Sequence, residues 1–456
     1  MWSRVLAPGY PDHPPMVALW IRCGTMLAGE GALGVRLLGP LSVAAATLLL
    51  ADAATRLLHC RRAGLRAAAL LNATLLFGVG GVLMTPDAPL LAFWIAGLWA
   101  LARLLDSGDP RWWLAAGLFA GLAMASKYTA VLLWFGIGLW LLATPAMRPW
   151  LRRPAPYLGA AVGLAVFLPV LLWEAGHDWV SFARQGGRIA AWQPTHAVRF
   201  LGELVAGQFG LITPLVFLLC VAGIVQAARL AWRTRDPAAM LLLALTLPTV
   251  VLFTQHTLGN RVQGNWPAVI YPAAIIAAAG LLAPAWRRLT TPAVALGLGL
   301  TLLVYLQAGT ALLPLPARLD PIAMQLSGWP GLAARIDAAR LRAGATFVAA
   351  DQYGVAAELA RHLPPDVPVV GVEQRWTQIG LPRADVAGRT GLLIRSTRRG
   401  PELEGIPWPA PVEIGEVERQ RDGEAVETFR LYRVVPAGNS AIAVTLPVMG
   451  RALAAN

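Results

Sequence analysis

Long apolar runs separated by short arginine-bearing connections dominate residues 34–313. Runs of roughly 17 to 25 residues match the thickness of a bilayer core when helical. They fall at 34–56, 64–84, 89–106, 112–126, 127–145, 156–174, 208–228, 238–255, 266–285 and 291–313, which predicts ten transmembrane helices. Beyond 313 the periodicity changes. Amphipathic helical stretches at 332–341 and 353–363 alternate with β-branched runs at 346–349, 367–372, 392–394 and 428–435, the pattern of a small α/β domain. The expected architecture is a polytopic all-α membrane domain over 1–313, an α/β domain over 314–435 and a flexible tail over 436–456.

Composition agrees with the membrane assignment. Hydrophobic residues make up 57% of the chain, charged residues only 14%, and the mean hydropathy is +0.57, far from a soluble domain. The net charge of +13 resides mostly in short arginine clusters between apolar runs, which argues for membrane orientation and against a nucleic-acid partner. Cys23, Cys60 and Cys220 have no metal-ligand spacing and imply no disulfide. No glycine-rich phosphate loop follows a strand.

Basic residues alternate between connections. Arg56, Arg61, Arg62 and Arg66, then Arg103 and Arg111, Arg148, Arg152 and Arg153, Arg229, Arg233 and Arg235, and Arg287 and Arg288 occupy one set; the other holds Lys127, Arg184, Arg188, Arg199 and Arg261. The positive-inside rule makes the richer set cytoplasmic and places both chain ends outside. Residues 1–33 then lie outside with no preceding segment to carry them across, so the sequence reads as truncated at its N-terminus.

The outer connections collect the unusual polar residues. Asp12 and His13 precede two prolines, Asp87 sits in Thr85-Pro86-Asp87-Ala88-Pro89, and Lys127 occupies the tip of a helical hairpin. Glu174, His177, Asp178, Arg184 and Arg188 follow, with His256 and Asn265 ahead of the ninth span. Lys127 is the single lysine against 37 arginines, and an ammonium at the edge of apolar runs needs a reason. Bland readings stand beside the functional one. Asp87 suits a helix N-cap, Lys127 a snorkelling cation, Asp12 and His13 a solvated turn, Arg184 and Arg188 lipid headgroup contacts, and His256 and Asn265 structural roles.

The strings Gly9-Tyr10-Pro11-Asp12-His13-Pro14-Pro15-Met16, Thr85-Pro86-Asp87-Ala88-Pro89, Ser126-Lys127-Tyr128-Thr129, His177-Asp178-Trp179-Val180-Ser181-Phe182 and Gly264-Asn265-Trp266-Pro267 occur in this order. Together they resemble the bacterial glycosyltransferase family 39 proteins, membrane enzymes of the GT-C fold related to dolichyl-phosphate-mannose protein mannosyltransferases and the lipid A aminoarabinose transferase. The resemblance implies a multi-pass protein of the bacterial inner membrane, with its active-site loops and C-terminal domain extracytoplasmic. It also implies an acidic pair and one helix ahead of Trp2, so the chain beginning at Met1 is expected to be inactive.

The chemistry implied is transfer of a sugar from a polyprenyl-phosphate donor to a lipid, glycan or protein acceptor, with inversion. Asp12 and Asp87 are the expected catalytic carboxylates; Lys127, His13, Arg184 and Arg188 the donor-phosphate contacts; and His177, Asp178, His256 and Asn265 further site candidates. A divalent metal is a candidate cofactor, with Asp12 and His177 as its ligands. The donor and membrane lipid are the expected partners. A transporter or lipid flippase is the alternative, although no internal repeat of the kind transporters carry is present.

Overall fold

The computed structural model describes residues 2–187, 192–313, 315–316, 320–373, 376, 379–400, 408–421, 423–438 and 441–444. The expected tail lies mostly outside them. The chain divides into two compact units, Leu6–Tyr305 and Leu306–Asn456 with Met1–Val5.

The first unit is helical. Among the described residues, six helices are long and apolar enough to span: α2 (Ala32–Leu57), α4 (Asp87–Ser107), α7 (Pro154–Ala175), α10 (Pro214–Thr234), α11 (Pro237–His256) and α13 (Pro284–Thr310). A seventh arises if Tyr128–Ala143, which contains α6 (Val131–Ala143), counts as one span with Pro145–Arg152, to which it is bent by 106°. The ten expected spans thus reduce to six or seven that meet the length criterion. Three apolar helices are shorter: α1 (Met16–Ala28), α5 (Trp112–Met124), and Trp266–Gly280, whose α-helical part is α12 (Tyr271–Gly280).

The run read as 64–84 is broken for a local reason. Helix α3 (Arg61–Asn72) ends, and Thr74 then caps a new turn at Leu75–Gly78 by accepting the Phe77 amide on its hydroxyl. A capping hydroxyl inside an apolar run competes with continuation of the helix.

Helices α5 and α7 approach closely through small residues. A Cβ on Gly121 would come 2.5 Å from the Gly163 carbonyl oxygen, and one on Gly117 would overlap the Gly159 backbone. This is the small-residue contact that membrane helices use where hydrophobicity alone gives no drive to associate. The contact matters because α5 leads into Lys127 and α7 ends at Ala175, one residue past Glu174.

The second unit is a six-stranded sheet with helices α14 (Trp329–Arg342) and α15 (Tyr353–His362). Strands β1 (Phe347–Ala350), β2 (Val369–Gly371), β3 (Gly391–Ser396), β4 (Val412–Arg421), β5 (Glu424–Val434) and β6 (Ile442–Ala443) lie in the order β4-β5-β3-β1-β2-β6. The central three are parallel and β4, β5 and β6 pair antiparallel. Buried β1 and β3 pack Val348, Leu392 and Ile394 with Leu332, Ile336 and Leu359, while Phe347 and Leu393 join Tyr432 and Trp408 in a second cluster. The edge strand β4 was not expected: its glutamates and arginines are poor strand formers, and register shifts at Glu413/Gly415 and Arg419/Gln420 break its alternation.

Candidate functional site

The polar residues of the first unit meet where the start of α4, the turn after α5 and the end of α7 come together. After α5 the amides of Ser126 and Lys127 both fold back onto the Ala123 carbonyl. Lys127 is then extended (φ −159°, ψ 138°) and leads into a short 3-10 turn. Its Nζ donates to Oδ1 of Asp87 at 2.7 Å, and both residues are buried. Asp87 Oδ2 accepts Asn265 Nδ2 at 2.6 Å. Asp87 opens α4, yet its side chain caps no helix amide. The carboxylate is spent on a cation and an amide from distant segments, which disfavours the N-cap reading.

A second pair lies beside the first. Arg184, on α8 (Val180–Gly187), donates to Asp12 Oδ1 at 2.6 Å, and Gln185 Nε2 reaches the Asp12 carbonyl at 3.2 Å. Segment 10–16 is anchored at both ends: Ser181 Oγ donates to the Tyr10 carbonyl at 2.9 Å, and the Met16 amide to the Ala125 carbonyl at 3.1 Å. A turn within it, Tyr10 N to His13 O at 3.1 Å, sets the half-buried His13 beside Asp12. Tyr10 is itself 1% exposed, and burial pushes its phenol up from the usual range while the Ala7 amide on its hydroxyl opposes that shift.

Other expected residues stand apart from these pairs. His177 stacks on Trp173 (ring centroids 4.0 Å, 13°), with Nδ1 2.7 Å from the Trp173 carbonyl. Asp178 is exposed on a left-handed backbone (φ 55°). His256 is buried edge-on against Trp266, 5.6 Å between centroids. Arg188 lies outside the described residues.

The two candidate metal ligands each have a protein partner. Asp12 engages a guanidinium and His177 a carbonyl, and among the described residues no three His, Cys, Asp or Glu side chains gather as a metal cradle.

Two buried polar residues support the site from behind. Glu174, 0% exposed, accepts the Tyr128 hydroxyl on Oε1 at 2.8 Å and the Ser181 amide on Oε2 at 3.2 Å. Gln208, on α9 (Ala197–Leu211), donates to the Gly264 carbonyl at 2.7 Å and accepts the Tyr271 hydroxyl at 2.9 Å. The loop carrying Asn265 is therefore braced. Sequence reasoning placed Glu174 in the outer group without a role, and passed over Gln208. The available signal was strong for the first, since no acidic residue occurs between Asp109 and Glu174.

The apolar helices of the first unit and the polar cluster between them define the class: a multi-pass membrane protein. The chain superimposes on crystal structures of ArnT from Cupriavidus metallidurans, with a TM-score of 0.57 for the apo state and 0.56 for the form bound to undecaprenyl phosphate. Each match covers 93% of this chain and 88% of ArnT at 15% identity, a likeness of fold. Residues 12–173 match the dolichyl-phosphate-mannose-protein mannosyltransferase family. The chain is also 32% identical over 291 residues to the lipid A galacturonosyltransferase RgtD of Rhizobium johnstonii, covering 63% of this chain and 60% of RgtD. These likenesses agree with the resemblance carried by the motif strings: the chain has an ArnT-like fold, and residues 12–173 are similar to the mannosyltransferase family.

Proposed function

We propose that the protein is a glycosyltransferase that moves a sugar from a polyprenyl-phosphate donor to an acceptor at the extracytoplasmic face of the bacterial inner membrane. The observation that carries this reading is the buried Lys127–Asp87–Asn265 cluster on a fold shared with a protein crystallised with undecaprenyl phosphate. A lipid-linked phosphate lies at headgroup depth, where a fixed ammonium meets it. One of the three Lys127 N–H bonds is on Asp87, which leaves the others for phosphate oxygens.

As the anomeric C–O bond breaks, its electron pair goes to the departing polyprenyl phosphate. A preorganised cation stabilises that growing charge more than the ground state. Arg184, which donates to Asp12, and His13 would share the phosphate contact. The acceptor oxygen or nitrogen attacks the opposite face of the sugar, inverting it, and loses its proton to a carboxylate. Asp12 and Asp87 are the carboxylates of the two clusters. RgtD makes lipid A the first acceptor to test and galacturonate the first sugar.

The test is incorporation of radiolabelled sugar into lipid by membranes from cells making a version of the protein extended upstream of Met1, supplied with several undecaprenyl-phosphate sugars. Labelled product in an amount that depends on the protein is expected. No transfer from any donor, together with movement of solute or lipid across reconstituted vesicles, would establish a transporter instead.

A further inference from the structure

The proposed transfer chemistry leaves Glu174 without a task, although it is fully enclosed. A buried carboxylate is expensive unless its oxygens are bonded, and both oxygens here meet neutral donors from two separate segments. One donor, the Tyr128 hydroxyl, belongs to the residue after Lys127. The other, the Ser181 amide, lies three residues before Arg184. The Tyr128 ring is also held by Phe182 (centroids 4.8 Å) and Phe167 (6.5 Å), so the bond to Glu174 fixes a ring that already has little freedom.

We propose that Glu174 is a positioning residue that holds the Lys127–Asp87 and Arg184–Asp12 pairs in fixed register, acting through Tyr128 and Ser181. The proposal rests on reading Lys127 as a contact of the donor phosphate. Its physical content is that one carboxylate at the end of α7 bridges the turn after α5 and the segment that grips Asp12. Losing the Tyr128 bond loosens the turn after Lys127, losing the Ser181 bond loosens the segment of Arg184, and small displacements of a catalytic group are costly in rate.

Because Lys127 is the only lysine, its amine can be followed by mass spectrometry after brief exposure to an amine-acylating ester, apart from the chain terminus. Glu174→Gln and Tyr128→Phe should each raise the acylation rate at Lys127 by about fivefold, the effect of roughly 1 kcal/mol. The double variant should exceed neither single one, since both remove the same link. Asp87→Asn serves as the positive control. In transfer assays, Glu174→Gln should lower kcat by about tenfold while the donor KM stays within about threefold.

Native labelling in both single variants while Asp87→Asn raises it overturns the proposal. A rise in Glu174→Gln alone overturns the route through Tyr128. No change in any of the three overturns the premise that Asp87 shields the amine, and the proposal with it. Should Glu174→Gln fail to fold, Tyr128→Phe, which loses one hydroxyl, decides the matter. The labelling needs no donor, so it gives its answer even if the glycosyltransferase reading fails.

Discussion

Lys127 Nζ lies 2.7 Å from Asp87 Oδ1 with the two side chains only 10% and 11% exposed. Removing one partner of such a buried pair strands the other, at about 3–5 kcal/mol. Asp87→Asn and Lys127→Ala should each lower sugar transfer at least about a hundredfold and lower the melting temperature. The double variant Asp87→Asn/Lys127→Met should recover melting temperature but not transfer. Recovery of both by the double variant would reduce the pair to a structural tie.

Arg184 is 30% and Asp12 15% exposed at the side chain, so their pair faces more water and contributes less to stability. Its effect should appear in donor binding. Arg184→Gln is expected to raise the donor KM by about tenfold, the loss of roughly one charge-assisted hydrogen bond. A fall in kcat with unchanged KM would move Arg184 to the transition state.

The α5–α7 contact sets the distance between Tyr128 and Glu174. Gly121→Val, whose added carbons meet the Gly163 carbonyl, should lower stability by about 1–3 kcal/mol and raise the acylation rate at Lys127. Gly202→Ala, on α9 with open space around the new Cβ, should change neither. Thermal unfolding in detergent and the lysine label check both.

Sidedness has its own test in Cys60, half-buried at the start of α3. Hydrogen bonding from the Ala63 amide, followed by the Arg62 amide and the charges of Arg66 and Arg287, holds its thiol below the usual range, so it is a reactive reporter. A membrane-impermeant maleimide should leave Cys60 untouched in intact cells and label it in broken ones. A cysteine placed at the exposed Gln193 should react in both. The reverse pattern would invert the orientation.

Much of this molecule was legible in residue order, and the losses have definite causes. Asp87, Lys127 and Asn265 stood out because polar groups between apolar runs are rare, and they do converge. Their pairing was not visible: Asn265 meets Asp87 across 178 residues and Tyr128 meets Glu174 across 46, and no local period encodes such contacts. Helix α15 showed in its apolar stripe, whereas β4 was hidden by charge and bulges. The break at Thr74 was missed because hydropathy weighs a threonine without asking where its hydroxyl goes.

Strand β4 has one further bearing on how this protein lives. Proteins confined to a bilayer collide in two dimensions, so any ten-residue border open to pairing meets its own copies often. Arg335, donating to the Glu418 carbonyl at 2.8 Å, and a backbone twisted out of line at Gly415 (φ 143°) leave that border partly occupied and a poor fit for its twin. Crowded neighbours can then brush past one another without zippering into aggregates.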